Sequence, residues 1–306
     1  MSVDFHFINV GKGSCAIIDF PSGRVSMIDI DDSRTISEAQ RQQMLLEEKA
    51  ALTNPIDYLA SSFDESEEIF RFILTHPDMD HMSGIRKLFN EKYVRNFWDV
   101  PNYKQDPGNW DQSPYNKEDW DFYQSLKNKK IKNTTVVNPL RNAISNCCWV
   151  EDGIRILSPS KALMEKAEEI EEYDNLSYVF QINYNGIRAI LTGDASKAAL
   201  DDIVANYKAD GLQSSILLAP GHGSKNHVSS DFLDAVKPRL TVVSVAEGVD
   251  YDNSAYRSYG RVLSTKYYGN VRVRIKDNKE VVFRTQFQNY SNNWYILKLR
   301  KEYYGE

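Results

Sequence analysis

The chain has 306 residues, a length that fits one large domain or two small ones. Hydrophobic residues make up 42% of it and charged residues 26%, as in an ordinary soluble protein with a substantial core. The net charge of −6 argues against a protein that coats nucleic acid through bulk electrostatics, but it is compatible with an enzyme that binds a phosphodiester through a local positive site.

Features of export and of membrane insertion are missing from the sequence. The N-terminal residues have no basic region followed by a long apolar segment, and no apolar stretch reaches the roughly 18 residues of a membrane span. The three cysteines, with Cys147 next to Cys148, do not make a disulfide framework. We therefore expect a cytoplasmic protein without a membrane partner, in which the adjacent cysteines are buried packing residues.

The first half of the chain begins with β-rich runs. "DFHFINVG", "SCAIIDF" and "RVSMIDID" predict three short strands, the last two of them separated by the turn "PSG". The loop "VGKGS" lacks the spacing of a nucleotide-binding P-loop, so we interpret it as a tight turn that supports a site. Residues 37–52 have the composition of a helix with a polar face, and residues 69–74 predict a buried strand.

The strand at 69–74 leads into "THPDMDHMSG", where His76, Asp78, Asp80 and His81 lie within six residues of a chain that has only five histidines. Imidazole nitrogen and carboxylate oxygen both bind divalent zinc, manganese and iron. On a turn after a strand, alternate residues can point the same way, so the first three side chains can converge while His81 serves a second ion. Two ions would need further ligands from distant parts of the chain.

Residues 85–145 differ in character, because they are rich in Trp, Tyr, Asn, Asp and Gln, and they predict an insertion. The basic run at 127–132 is either a solvated face or a contact for nucleic acid. The aromatic residues form either the core of the insertion or a cap whose rings stack on bases. These aromatic residues are Trp98, Tyr103, Trp110, Tyr115, Trp120 and Tyr123.

From residue 150 onward, strand and helix patterns resume. A helix is expected at 160–172, and residues 176–195 read as two strands joined by Asn185-Gly186, a dipeptide favoured in tight hairpins. Asp194 follows an apolar strand, and His222 follows another in "ILLAPGHGS". Asp194 can therefore bridge two ions, while His222 completes the second. The helical "SDFLDAVKP" and the strand "LTVVSV" come next.

In this order, the pieces resemble the metallo-β-lactamase superfamily, whose motif H-x-H-x-D-H is followed by a glycine–aspartate after a strand and by a late histidine. "FINVGKGSCAIIDF", "MIDIDD", "THPDMDHMSG" and "PGHGSKN" look most like the metallo-β-lactamase-type domain at the end of ComEC competence proteins and in free-standing relatives. That subgroup carries an aspartate at the position of Asp78. The resemblance covers most of residues 4–285 outside the insertion.

The resemblance implies an α/β protein with a four-layer αβ/βα sandwich and a two-metal site between its sheets. We expect a single domain over residues 1–306, with an insertion at about 85–145 and a C-terminal extension at about 285–306. The resemblance also implies the ligands of each ion. The first ion would be held by His76, Asp78 and Asp194, and the second by Asp80, His81, His222 and the shared Asp194.

The chain departs from the subgroup's pattern at several positions. Gly221 stands where a pair of histidines is common, and Asn253 stands where relatives often have a histidine. Asn9 and Ser14 replace aspartates that are usual in the first glycine loop. The superfamily's extra histidine ligand for the first ion has no counterpart, and Asn175 lies near the place where it would be expected.

The function expected from these features is that of a two-metal hydrolase cleaving phosphodiester bonds, in particular a nuclease acting on DNA or RNA. Two ions bring four positive charges against the carboxylates of Asp78, Asp80 and Asp194, which leaves a positive site suited to a phosphodiester. The carboxylate at position 78 favours manganese or magnesium over zinc. Asp80 is the candidate catalytic residue that orients the nucleophile, and Ser224 and Lys225 are candidates for contacting substrate phosphate.

Other interpretations stay open at this level. The same scaffold could hydrolyse a cyclic nucleotide, or an ester, thioester or lactam with zinc. It could also be a non-catalytic interaction module stabilised by metal, with the insertion as its binding face. The tail at 292–305 predicts an edge strand or an oligomer contact. We expect His6 to be structural and His227 to be a loop or helix-start residue.

Overall fold

The structure is a computed structural model. The residues that it describes are 1–32, 52–64, 67–144, 149–245 and 252–299. Apart from residue 52, the helix expected at 37–52 lies outside the described residues, and so do Cys147 and Cys148.

Most strands of the described residues belong to two large sheets. The strands are β1 (Ser2–Phe7), β2 (Ala16–Asp19), β3 (Val25–Ile28), β4 (Ile30–Asp31), β5 (Ile69–Ile73), β6 (Met82–Ser83), β7 (Val94–Trp98), β8 (Thr135–Val137), β9 (Ile154–Ser158), β10 (Val179–Tyr184), β11 (Ile187–Leu191), β12 (Ile216–Leu218), β13 (Leu240–Val243), β14 (Arg261–Ser264), β15 (Val271–Lys276), β16 (Val281–Thr285) and β17 (Tyr295–Ile296). The nine-stranded sheet has the order β17-β16-β15-β1-β2-β3-β5-β7-β8, and the six-stranded sheet has the order β14-β13-β12-β11-β10-β9. β4 and β6 form a separate parallel pair.

The helices lie between these strands in the chain. They are α1 (Pro55–Ser62), α2 (Ile85–Glu91), α3 (Lys117–Lys127), α4 (Lys161–Ile170), α5 (Lys197–Asn206), α6 (Ala209–Leu212), α7 (Ser230–Val236), α8 (Ser254–Arg257) and α9 (Thr265–Tyr268). Among the described residues, no helix is long and apolar enough to cross a membrane.

Three clusters of buried apolar side chains define the layers. The first joins the inner faces of the two sheets, with Phe5 of β1 and Phe180 of β10 among its members. The second packs α1, α2 and α3 on the outer face of the nine-stranded sheet through residues such as Leu59 and Leu88. The third packs α5 and α7 on the six-stranded sheet through residues such as Leu200. The helices packed on two large sheets confirm the expected mixed α/β fold, and the four-layer sandwich stays a prediction.

Parallel strands determine where the loops with candidate ligands lie. β3, β5 and β7 are parallel neighbours in the larger sheet, and β11, β12 and β13 are parallel neighbours in the smaller one. The carboxyl ends of parallel neighbours lie at one edge of a sheet, where α/β folds place their binding sites. The 74–84 loop follows β5, Asp194 follows β11 and His222 follows β12.

Several local predictions are confirmed. The first three strands pair in antiparallel order. β10 and β11 form the expected hairpin, and both turn residues have positive φ, 52° at Asn185 and 86° at Gly186, which is typical of a two-residue turn. β17 pairs with β16 at the edge of the sheet, so the described part of the tail adds an edge strand.

Residues 85–145, which the sequence predicts as an insertion, are closely integrated with the nine-stranded sheet. They contribute β7 and β8 to the nine-stranded sheet and place α2 and α3 on its face. Trp98, Trp120 and Tyr123 are buried, whereas Tyr103 is 73% exposed. Trp110 and Tyr115 are partly buried against the core. Three of the six rings are therefore core, and two more pack against it. The division into a single domain with an insertion and a C-terminal extension stays a prediction.

Candidate metal centre

Asp29 fixes the start of the loop that carries the histidine–aspartate motif. β3 and β5 pair in parallel with Ile28 opposite Ile73, so the residues that follow them meet. Asp29 Oδ1 accepts a hydrogen bond from the backbone N–H of Thr75 at 2.7 Å, and its Oδ2 accepts one from the Thr75 hydroxyl at 2.8 Å. The loop therefore leaves the sheet in a direction set by a carboxylate that is itself fully buried.

The rings of His81 and His222 are each oriented through Nδ1. His81 Nδ1 lies 2.7 Å from Asp29 Oδ2, and His222 Nδ1 lies 3.0 Å from the carbonyl oxygen of Ser244. The Nε2 atoms of both rings are buried and find no hydrogen-bond partner among the described residues. Histidines that bind metals have this arrangement, with one nitrogen held by an oxygen and the other left for the ion.

Asp194 and Asp80 face these two nitrogens. Asp194 Oδ1 is 3.5 Å from His81 Nε2, and its Oδ2 is 3.2 Å from His222 Nε2. Asp80 Oδ2 is 3.8 Å and 3.6 Å from the same two nitrogens. Two ligands each about 2.1 Å from one tetrahedral ion lie about 3.4 Å apart, so these separations fit a cation among the four side chains. We call this set the inner position.

A second group of ligand atoms adjoins the first. His76 Nε2 lies 3.9 Å from Asp78 Oδ2 and 3.7 Å from Asp174 Oδ1. His76, His81 and Asp194 also lie close enough to share an ion, so the two groups are contiguous. We call His76, Asp78 and Asp174 the outer position, because Asp78 and Asp174 are partly exposed, at 36% and 41%.

Asp174 is a residue that the sequence did not single out. Asn175, which lies near the expected place of the superfamily's extra ligand, is buried, and its Oδ1 accepts a hydrogen bond from the Ser196 hydroxyl at 2.5 Å. Its neighbour Asp174 is the residue that faces His76. A carboxylate therefore lies next to the residue that the resemblance placed near the missing histidine.

His227 is not simply a loop residue, because its Nε2 lies 3.1 Å from Asp174 Oδ2. Its ring occupies the space above Gly221, where an added Cβ would lie 2.3 Å from the His227 Cγ. Gly221 also has a φ of 53°, which favours glycine. The absence of a side chain at position 221 thus allows His227 to reach the outer position.

The "VGKGS" loop contacts the inner position. The backbone N–H of Gly13 donates to Asp31 Oδ2 at 3.0 Å, and a Cβ at Gly13 would lie 1.8 Å from the carbonyl oxygen of Asp80. Burial raises the pKa of Asp31 to about 7, with the Gly13 N–H opposing the shift and the Asp80 carboxylate adding to it. The loop therefore packs closely against the backbone that positions Asp80.

The charges of the inner position depend strongly on one another. Burial disfavours the imidazolium of His222, but the nearby carboxylates outweigh burial and raise the pKa of His222 to about 10. Burial opposes ionisation of Asp80, but the His81 and His222 rings lower its pKa to about 2. The pKa of Asp194 is lowered well below its ordinary value for the same reason. Cationic partners are thus strongly favoured here, and a divalent ion would displace protons from the imidazoles.

A cleft of about 690 Å³ opens beside the outer position. Lys104 lines it, forms an ion pair with Asp78 and lies 5.1 Å from the centre of the Tyr173 ring. The candidate phosphate contacts Ser224 and Lys225 do not line it, but the next two residues, Asn226 and His227, do. Ser224 caps the short turn 225–227 by accepting from the backbone N–H of Asn226 at 3.4 Å, and Lys225 is exposed.

Comparison with known proteins shows the fold more clearly than the activity. No family model matches the chain. Igni18, a metallo hydrolase from the archaeon Ignicoccus hospitalis, matches with a TM-score of 0.50 and 14% identity over 88% of this chain and 98% of its own. The chain has the metallo-β-lactamase fold. The E377D mutant of CmlA β-hydroxylase also has a TM-score of 0.50, with 10% identity, and the match covers 90% of this chain and 54% of that one.

One curated relative matches at the level of sequence. ComE operon protein 3 of Bacillus subtilis strain 168 is 21% identical over 281 residues, which cover 88% of this chain and 33% of that protein. The chain therefore spans about a third of the length of this relative. The match agrees with the ComEC-type resemblance of the motifs within the metallo-β-lactamase fold.

In this example of the metallo-β-lactamase fold, the six predicted ligands lie together. Sequence reasoning missed Asp29, Asp174 and Lys104. Asp29 directly follows strand β3 in the "MIDIDD" segment, so its position was a usable signal. Asp174 lies in a short 3-10 helix and Lys104 in a loop after β7, and neither segment has a periodic pattern.

Proposed function

We propose that this chain is a two-metal hydrolase that cleaves phosphodiester bonds, with DNA, RNA or a smaller nucleotide as substrate. The observation that carries the proposal is the convergence of two buried Nε2 atoms, of His81 and His222, on the carboxylates of Asp80 and Asp194. A buried polar atom without a partner costs about 1–3 kcal/mol, and a bound cation would offset that cost at both nitrogens. Igni18, a metallo hydrolase of similar fold, supports a hydrolase assignment.

The ligands would divide between the two positions. Asp80, His81 and His222 would hold the inner ion, His76, Asp78 and Asp174 the outer one, and Asp194 would lie between them. The inner set contains two imidazoles and suits zinc or manganese. The outer set contains one imidazole and two carboxylates, which favours manganese or magnesium.

When bound, two such ions lower the pKa of a water molecule and polarise a phosphoryl oxygen. Asp80, which is 29% exposed, would orient the attacking water as well as bind the inner ion. Asp29 and the Ser244 carbonyl would keep the rings of His81 and His222 in their binding tautomers.

Asp174 changes the charge balance inferred from sequence. With it, four carboxylates would face the four positive charges of two ions, so the ligand shell alone would be neutral. Lys104 then becomes the source of positive charge for a phosphate in the adjoining cleft, where an ammonium serves as a point charge. Ser224 and Lys225 remain proposed phosphate contacts, because they directly precede Asn226, which lines this cleft. The ComEC-type resemblance supports a nucleic-acid substrate. A cytoplasmic location of the protein stays a prediction.

The test is a substrate panel with metal analysis. The purified chain, loaded separately with manganese, zinc and magnesium, is incubated with labelled DNA, RNA, cyclic nucleotides and a chromogenic carboxylic ester. We expect cleavage of at least one phosphodiester, its loss in Asp80→Ala, and its retention in Asp121→Asn, which alters an exposed aspartate ion-paired with Lys117. Two bound ions with turnover of the ester alone would contradict the phosphodiesterase assignment.

A second comparison separates catalysis from a purely structural metal. If Asp80→Ala keeps its metal content and melting temperature but loses turnover, the metal is not present for the fold alone. Metal binding without turnover of any member of the panel by the wild-type chain would favour a non-catalytic interaction module instead.

A further inference from the structure

A cluster of arginines lies on the outer face of the nine-stranded sheet, several strands away from the metal ligands. On β15, Val271, Val273 and Ile275 point into the core, so Arg272 and Arg274 face outward. Antiparallel pairing places Arg284 of β16 directly opposite Arg272. Like charges that face each other across a strand pair destabilise a sheet. The pairing therefore needs a compensating group.

The protein's own carboxylates compensate this cluster unevenly. Asp4 accepts two short hydrogen bonds from Arg274, at 2.7 and 2.5 Å, and lies 3.6 Å from Arg272. The side chain of Arg284 has no hydrogen bond or ion pair to any residue that the structure describes. Arg272 Nε is buried and has no hydrogen-bond partner within the same ranges. One carboxylate thus serves two arginines, and the third is left to solvent or to a ligand.

Trp294 holds the guanidinium groups in place. Its ring centre lies 5.7 Å from Arg272, 4.9 Å from Arg274 and 5.1 Å from Arg284. Contacts of this kind attract a cation to the ring face and restrict its rotation. The arginines are therefore ordered before any ligand arrives, which lowers the entropic cost of binding one.

Arg272 and Arg284 line a cavity of about 580 Å³, which we call the arginine cleft. Its other walls offer amides and a hydroxyl from Asn270, Gln286 and Thr285, and one carboxylate from Asp57. The volume is that of a small-molecule site.

The potential on this face of the sheet is positive. His6 lies opposite Arg272 on β1. Burial, followed by Arg272, Arg274 and Arg284, lowers the pKa of His6 to about 3 against the opposing effect of Asp4.

We propose that the arginine cleft binds a phosphate group, carried either by a free nucleotide or by the backbone of a nucleic acid. Guanidinium forks match phosphate oxygens in a bidentate manner. The Gln286 side-chain amide can donate to an oxygen that remains, whereas the Thr285 hydroxyl already donates to the carbonyl of Phe287 at 2.7 Å. A phosphate here offsets the repulsion between Arg272 and Arg284, which a neutral ligand would not do.

The place of the cleft fits the backbone of a bound strand. Asn270 lies at its wall, and Asn270 Oδ1 accepts a hydrogen bond from the backbone N–H of Asn9, in the loop that also contains Gly13. The cleft is thus at the same edge of the sheet as the metal loops. Four strand spacings separate β15 from β5, or about 19 Å. This version of the proposal rests on the proposed nuclease function, whereas binding of a free nucleotide does not.

The experiment follows tryptophan fluorescence of the purified full-length chain during titration with inorganic phosphate, AMP and a short single-stranded oligonucleotide. We expect a saturable change that disappears in Trp294→Phe, because this ring touches all three arginines. The Kd should rise about tenfold in Arg284→Gln, since a charge-assisted hydrogen bond is lost. Arg155→Gln is the matched control, because Arg155 is exposed and stacks on Tyr207 in the other sheet.

The outcomes separate the two sources of phosphate. Binding of AMP as tightly as the oligonucleotide assigns the cleft to a free nucleotide, whereas binding of the oligonucleotide alone assigns it to a backbone. An unchanged Kd in Arg284→Gln, or no saturable change with any probe, overturns the proposal. Melting curves of Arg284→Gln and Arg284→Lys show whether each variant is folded. Arg284→Lys keeps the positive charge and should weaken binding less than Arg284→Gln. The readout needs no turnover, so failure of the proposed hydrolase activity leaves it intact.

Discussion

The metal centre and the arginine cleft lie at the same edge of the nine-stranded sheet and have opposite charge. In the metal centre, the carboxylates of Asp80 and Asp194 face the same two buried imidazoles. In the cleft, Arg272 and Arg284 face each other across two strands. In both regions, groups of like charge lie close together without enough oppositely charged side chains to balance them. This imbalance indicates a cation at the metal centre and an anion in the arginine cleft.

The two regions differ in how they are built. The cleft arginines alternate along the strands of one sheet, so their positions follow from strand pairing alone. The metal ligands lie in loops that follow strands of both sheets, and they meet only when the sheets pack. Ser177 marks this junction, because its hydroxyl lies 3.3 Å from His76 Nδ1 and accepts from the backbone N–H of Asp194 at 3.0 Å. The metal centre should therefore be the more sensitive of the two to substitution.

The largest effect should follow Asp194→Ala, because this carboxylate faces both positions. We expect bound metal to fall from about two ions per chain to nearly none. Elemental analysis after dialysis measures the ratio, and Asp121→Asn should keep the wild-type value. Retention of both ions would show that Asp194 is not shared between them.

Asp174→Ala should remove about half as much bound metal as Asp194→Ala, because Asp174 belongs to the outer position only. We expect about one ion per chain, held by the inner ligands, together with loss of hydrolysis if both ions are needed. Calorimetric titration with manganese distinguishes one site from two. If two sites of unchanged affinity persist, Asp174 is not a ligand and the outer position must be reassigned.

Asp29→Asn should have a smaller effect, because Asp29 orients His81 without facing an ion. Loss of such an outer-shell partner weakens metal binding by about 10–100-fold while two ions still bind at saturation. Competition with a metal-sensitive dye gives the two affinities. We expect the inner ion to weaken more than the outer one, and equal weakening would contradict the distinction between the positions.

The smallest effect concerns His6, which borders the cleft. Its pKa of about 3 in the fold is below the ordinary 6.5, so between these values the unfolded chain binds a proton that the folded chain does not. Stability should therefore fall with decreasing pH below 6.5, by about 1.4 kcal/mol per unit from this residue. Urea unfolding of wild type and His6→Asn from pH 7 to 5 measures the difference, and parallel curves would refute it.

The sequence could predict the features of the protein that are set by a local pattern of neighbouring residues. The strand before His76, the hairpin turn at Asn185 and the ligands in motifs were accessible because each has a local pattern. Asp174 was not, since its neighbour Asn175 has the same local context and only tertiary packing decides which one faces His76. The integration of residues 85–145 into the sheet was missed because their unusual composition concealed two short strands.

The spacing of the inner ligands has a consequence for biosynthesis. Asp80 and His222 are separated by more than a hundred positions, and the ring of His222 is oriented by a carbonyl still further along, at Ser244. A nascent chain that does not yet include Ser244 lacks the carbonyl that orients His222, so its inner position is incomplete. Loading of the proposed metal must then follow synthesis of the chain at least as far as Ser244. Metal uptake would therefore mark a late stage in the maturation of the protein.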